Sequence, residues 1–232
     1  MHPATVPQAL IDRIVEFRGT AHVHLPFDPR RSALLVVDMQ NAFLDPQTDA
    51  IYVPNAVSIV PNVNRLAAAF RRAGGKVFWL QHSVNEESLE SWSNLFGMGR
   101  LKPEESERRN EAFAPGTFSH QLHEGLDISQ EDARVCKYRY SPFSPGASDL
   151  DAQLREAGVE TVVIAGTLTN ICCESTAREA MMHNYKAIMV GDATATLTDD
   201  EHVAALSNVY GFFGDVLTVD EVLGNLEARH TG

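Results

Sequence analysis

Short apolar runs separated by longer amphipathic stretches dominate the chain. Ala33–Asp38 (ALLVVD), Lys76–Gln81 (KVFWLQ), Ala133–Lys137 (ARVCK), Thr161–Gly166 (TVVIAG), Lys186–Gly191 (KAIMVG) and Asp215–Val219 (DVLTV) show little alternation. Such runs fit strands covered on both faces of a sheet. Between them lie helical patterns. Val57–Ala73 places Val60, Val63, Leu66, Ala67 and Phe70 on one face and stops at Gly74-Gly75. Ser148–Ala157 stops at Gly158, and Asn170–His183, Asp199–Tyr210 and a terminal Val219–Ala228 follow. Strands alternating with helices predict parallel crossovers. The expected architecture is therefore α/β, a three-layer α/β/α sandwich. Two stretches break the pattern. Residues 1–31 predict a short helix around Leu10–Phe17 and then a Pro-containing arm. Residues 84–131 form a polar insertion carrying Gly97, Gly99, Pro103, Pro115 and Gly116, of a length typical of lids and interface elements.

Composition narrows the class. The 232 residues are 44% hydrophobic, which fits one undivided domain over 1–232. Lys+Arg 19 against Asp+Glu 31 gives −12. An acidic surface argues against nucleic acid or an anionic membrane as the partner. No run of about 18 apolar residues predicts a membrane span, and residues 1–31 lack the features of a signal peptide. Three cysteines, Cys136, Cys172 and Cys173, make no disulfide framework. A reduced, cytoplasmic setting is the expectation.

Ligands of open parallel sheets sit beyond the carboxyl ends of the strands. There the sequence places Asp38 after the first strand, Gln81-His82 after the second, Lys137 after the third and Thr167–Cys173 after the fourth. Thr169 or Asn170 is a natural N-cap, so Cys172 falls in a first helical turn. Free N–H groups and the helix dipole there favour a thiolate and can hold an oxyanion. The alternative is a small buried residue at a tight helix start. Cys173 lies about 100° further round and is expected to face packing. Asp38 reads either as a turn residue or as a general base in apolar surroundings. Lys137 reads either as a strand-end surface lysine or as the cation that keeps Asp38 and Cys172 ionised. Dinucleotide, phosphate-loop and nucleophile-elbow motifs are absent. His120-x-x-His123 is not expected to form a metal site, since no full ligand set is completed around it, and His22 and His24 are expected at the surface.

The stretches ALLVVDMQNAFLDP and VCKYRYSPFSPGASDLDAQLREAGVETVVIAGTLTNICCESTAREAMMHNYKAIMVGDATAT strongly resemble the isochorismatase-like cysteine hydrolase superfamily, from about Ser32 to Asp220. The resemblance implies a six-stranded parallel sheet and an Asp-Lys-Cys triad. Asp38 matches the D-x-Q aspartate, Lys137 the lysine after strand three, and Cys172 the nucleophile of G-x-x-T-N-x-C-x-E-S-T. It also implies a cis peptide at Thr167–Leu168 and an oxyanion hole from the N–H groups of Leu168 and Cys172. Nicotinamidases of this group carry an Asp-x-His-x-x-His metal site after strand two. Here that place reads Gln81-His82-Ser83-Val84-Asn85-Glu86, so neither metal nor cofactor is expected. TNICCESTARE and KYRYSPF are similar to ureidoacrylate and N-carbamoyl amidohydrolases, which implies a small amide or ureido substrate. Asn41 and Gln81 are candidates to hydrogen-bond it, Phe118, Tyr138, Tyr140 and Phe143 to wall its pocket, and Arg139 to pair with a carboxylate. Vinyl-ether hydrolysis, which needs the acid but not the thiol, and a binding-only role remain alternatives. The family resemblance also implies a homo-oligomer, dimer or tetramer.

Overall fold

The computed structural model describes residues 1–48, 51–96 and 102–228; Gly97 and Gly99 of the insertion fall outside them. Six strands form one parallel sheet: β1 (Ser32–Val37), β2 (Lys76–His82), β3 (Ala133–Lys137), β4 (Thr161–Thr167), β5 (Lys186–Ala195) and β6 (Asp215–Leu217). Their order is β3-β2-β1-β4-β5-β6. The chain therefore reverses its direction of travel across the sheet between β1 and β4, the place where ligands of open parallel sheets bind.

The lack of alternation in the strands has its cause in two apolar layers. Leu34 and Val36 of β1 join one core with Val63, Leu66 and Phe70 of helix Val60–Arg72 and Val222 and Leu226 of helix Val219–Ala228. Ala33, Leu35 and Val37 join the other, with Leu150 and Leu154 of helix Leu150–Glu156, Ala177 and Ala180 of helix Glu174–Met182, and Leu206 of helix Asp199–Asn208. Period-2 geometry sends successive β1 side chains to opposite layers, and both layers are apolar.

Several boundaries differ from the sequence reading for physical reasons. The helix expected over Val57–Ala73 is two, Pro54–Ser58 and Val60–Arg72. Pro61 has no N–H to offer across the junction. Strand β5 runs past Gly191 to Ala195, because its register with β4 shifts between Ile164↔Met189 and Gly166↔Thr194 and pairing resumes beyond an irregularity. The helix expected from Asn170 begins instead as a π-type turn, Thr169–Cys173, followed by Glu174–Met182. The N-terminal helix spans Gln8–Arg18.

The insertion carries helices Glu86–Ser91, Ser93–Phe96 and Pro103–Ala112. Its end is stitched to the segment after β1: Asn41 N–H donates to Gln121 O, Ala42 N–H to Ser119 O, and His123 N–H to Met39 O. It therefore lies against the carboxyl edge of the sheet. Among the described residues no helix is long and apolar enough to cross a membrane.

Candidate active site

Strand β1 ends at Val37, and Asp38 turns the chain with φ 49, a region L-residues rarely enter. Its N–H donates to Leu80 O of β2 at 2.9 Å, which anchors the turn. One strand over, Gly166 of β4 is the register partner of Val37. A Cβ on Gly166 would sit 2.0 Å from Val37 O, and its φ is +113. Only glycine lets the two backbones meet here. The Thr167–Leu168 peptide is cis, and the π-type turn that follows carries Cys172. Cys173 N–H reaches back to Leu168 O at 3.1 Å, the longer step that defines this turn. Lys137 closes β3, in register with His82 of β2.

The three side chains converge. Lys137 Nζ lies 2.8 Å from Asp38 Oδ2, and both side chains are 0% exposed. The Cys172 thiol contacts both. Burial raises the Asp38 pKa above the ordinary carboxylate range, against the pull of Lys137 and the thiol. Burial works against the Lys137 charge, but Asp38 and Cys172 outweigh it and the ammonium is held. Burial also pushes Cys172 up to about 12; the adjacent Lys137 pulls it down less than this, and the Asp38 charge adds to the rise. Desolvation thus opposes the thiolate that the neighbouring Lys137 favours. Cys173, fully buried in the core, is pushed up as well, first by burial and then by Cys172 and Asp38.

The expected capping does not occur. Leu168 occupies the N-cap position without a side-chain bond. Thr169 Oγ1 instead lies 2.9 Å from His202 Nδ1, and Asn170 Oδ1 accepts from Thr196 Oγ1 at 2.6 Å.

The proposed substrate contacts divide. Tyr140 lines a cavity of about 740 Å³ under the insertion, with Val84, Glu86, Leu89, Phe96 and Arg109. Tyr138 borders a smaller cavity near Asn85 and Ser91. Phe118 is 58% exposed on a shallow outer depression beside Gln47 and Arg108. Asn41 and Gln81 have their amide N–H groups engaged with the insertion, through Phe118 O at 3.0 Å and His120 O at 2.8 Å. Arg139 lines the same cavity as Tyr138, where it donates to Tyr138 O and Ser91 Oγ and covers the Trp92 ring. Phe143 is buried against His183 and Tyr185, in the helical layer behind the sheet. Arg139 and Phe143 thus have partners on other segments, Ser91 and Trp92 for the first and His183 and Tyr185 for the second.

Gln40 at this edge was not singled out from the sequence. Gln40 accepts from His82 N–H at 2.8 Å and donates to His120 O at 2.8 Å, so it ties β2 to the insertion. Its place in the D-x-Q motif was the available signal. His120 is buried, with Nε2 2.8 Å from Ser83 Oγ. His24 is only partly exposed, and its backbone N–H donates to Asp215. Burial lowers the His24 pKa. Among the described residues no group of three or more His, Cys, Asp or Glu is placed to hold a metal ion.

Comparison with known proteins matches the fold that carries this edge. The profile of the isochorismatase domain matches residues 32–221. A cysteine hydrolase from Pseudomonas syringae pv. phaseolicola 1448A is 30% identical, with a TM-score of 0.78 over 90% of this chain and 98% of that one. An isochorismatase-like hydrolase from Alkaliphilus metalliredigens is 28% identical, with a TM-score of 0.70 over 84% and 98%. An N-carbamoylsarcosine amidase from Thermoplasma acidophilum is 29% identical, with a TM-score of 0.65 over 82% and 97%.

Proposed function

The chain belongs to the isochorismatase family of hydrolases, and from that premise we propose that it is a cysteine amidohydrolase acting on a small amide or ureido substrate. The observation that carries this reading is the buried meeting of Asp38, Lys137 and Cys172 at the carboxyl edge of the sheet. Likeness to a cysteine hydrolase and to an N-carbamoylsarcosine amidase supports the choice of a C–N bond.

The chemistry follows from the charges. Asp38, ionised beside Lys137, takes the proton of the Cys172 thiol as the sulfur attacks the substrate carbonyl carbon. The carbonyl oxygen becomes an oxyanion, and the backbone N–H groups of Leu168 and Cys172 receive it. The C–N bond then breaks. Protonated Asp38 gives its proton to the leaving nitrogen, and a thioester remains on Cys172. Water attacks that thioester, Asp38 takes the water's proton, the C–S bond breaks and the thiol is restored. A thiol with a pKa near 12 and a carboxyl raised by burial suit this sequence. The thiol stays inert until a carbonyl arrives, and the base has more proton affinity than a surface aspartate. Lys137 keeps Asp38 ionised at rest and steadies the charge as it moves.

Ammonia release across ureido acids, N-carbamoyl amino acids, biuret-like compounds and simple amides tests the reading. Activity on at least one member, lost in Cys172→Ala, is the expected result. Undiminished turnover by Cys172→Ala would move the assignment to acid-assisted chemistry that needs no thiol, such as vinyl-ether hydrolysis.

A further inference from the structure

We propose that His202 is a positioning residue that fastens the turn carrying Cys172 to the N-terminal arm, making the first residues of the chain part of the active-site framework. The inference rests on Cys172 being the nucleophile.

His202 lies on helix Asp199–Asn208 and is fully buried. Its two ring nitrogens face opposite ways: Nε2 is 3.1 Å from Pro3 O and Nδ1 is 2.9 Å from Thr169 Oγ1. A carbonyl can only accept, so Nε2 carries the hydrogen. Burial holds the imidazole pKa down to about 4, so the ring is neutral. Nδ1 is then an acceptor, and the Thr169 hydroxyl donates to it. One neutral ring thus spans from the arm to the nucleophile turn, with each nitrogen in a fixed role.

The next residue of the turn is held by a parallel route. Asn170 Oδ1 accepts from Thr196 Oγ1, and Thr196 O lies 2.9 Å from His2 Nε2. The His2 ring stacks on His202 with centroids 4.6 Å apart, and its Nδ1 is 2.6 Å from Asp199 Oδ1. The arm is seated tightly: a Cβ added to Gly191 would fall 1.9 Å from Ala4 O. Thr169 and Asn170 immediately precede the Ile171-Cys172 step, so fixing them fixes the sulfur relative to Asp38 and aims the N–H groups of the turn. A misplacement of about 1 Å at a reacting group can cost on the order of 10²-fold in rate.

Thr169→Val removes the hydroxyl, and Thr169→Ser keeps it. His202→Gln keeps a donor for Pro3 O, its amide nitrogen standing where Nε2 stood, and places no acceptor at the position of Nδ1. Gly191→Ala unseats the arm without altering the turn itself. On the best substrate of the ammonia-release panel, the Val, Gln and Ala variants are expected to lower kcat by about 10- to 100-fold with KM within about twofold, and Thr169→Ser to retain wild-type kcat. Amide hydrogen exchange should accelerate over residues 168–176 while β1 and β2 stay protected. This second readout needs no substrate. Unchanged kcat and exchange in Thr169→Val and His202→Gln would overturn the proposal. So would a kcat loss that Thr169→Ser shares, or one matched by faster exchange throughout the sheet. Failure of the nucleophile reading has its own signature, retained turnover in Cys172→Ala, whatever the Thr169 variants do.

Discussion

Replacing Lys137 by Met removes one partner of an ion pair whose side chains are both 0% exposed and whose charged atoms are 2.8 Å apart. Breaking a buried pair from one side costs about 3–5 kcal/mol, because the remaining charge is stranded. Asp38 can escape that cost by taking a proton, which ties the penalty to pH. In the wild type its pKa is already raised, by burial, against the pull of Lys137. A raised carboxyl pKa contributes stability at low pH that is lost as pH climbs through the folded value. Without Lys137 that value rises further, so the variant goes on losing stability at pH values where the wild type has finished. The gap between the two proteins should widen with pH, by at most about 1.4 kcal/mol per unit, toward about 3–5 kcal/mol at pH 8. With about 2–4 °C per kcal/mol for a chain of this size, the melting temperature at pH 8 falls by about 6–20 °C. Urea titrations of both proteins at pH 5.5, 6.5 and 8, followed through the buried Trp79, measure it. The double variant Asp38→Leu/Lys137→Met should recover most of the loss, since an apolar pair strands no charge. A penalty equal at pH 5.5 and pH 8, or absent at pH 8, would refute the reasoning.

Other expectations follow from the same geometry. Gly166→Ala puts a Cβ 2.0 Å from Val37 O in a left-handed backbone, so it should destabilise by at least about 2 kcal/mol in urea and lower activity by parting β1 from β4. The acid limb of kcat/KM should lie above the ordinary aspartate value of about 3.9, because the raised Asp38 must be ionised to accept the thiol proton. Iodoacetamide should label Cys172 slowly in the free enzyme at pH 7 and faster as pH rises toward about 12. Fast labelling at pH 7 would mean that the thiolate exists at rest.

The sheet was readable because its strands are written as local apolar runs, and local runs specify strands whatever lies beyond them. The meeting of Asp38, Lys137 and Cys172 was readable for a related reason. Asp38, Lys137 and Cys172 each stand at or just beyond the carboxyl end of an apolar strand, and parallel strands deliver their ends to one edge. What stayed hidden depends on contacts distant along the chain. Nothing near Arg139 in sequence announces Trp92 and Ser91, which its guanidinium meets. Nothing near Phe143 announces Tyr185, which packs against its ring. Thr169 looks like an N-cap, since nothing near it in sequence announces a histidine 33 residues on. For Cys172, helix position and a neighbouring lysine are legible in sequence, whereas the depth of burial that opposes them is not.

In the proposed reaction Cys172 carries the acyl group of a C–N substrate. Acid quench of a reaction in its steady state, followed by peptide mass spectrometry, tests it most directly. A mass increment equal to the substrate's acyl part on the peptide holding Cys172, absent from Cys173-only fragments and absent in Cys172→Ala, is the predicted result. Turnover at wild-type rate in Cys172→Ala, with no adduct at any point of the wild-type reaction, would contradict the account.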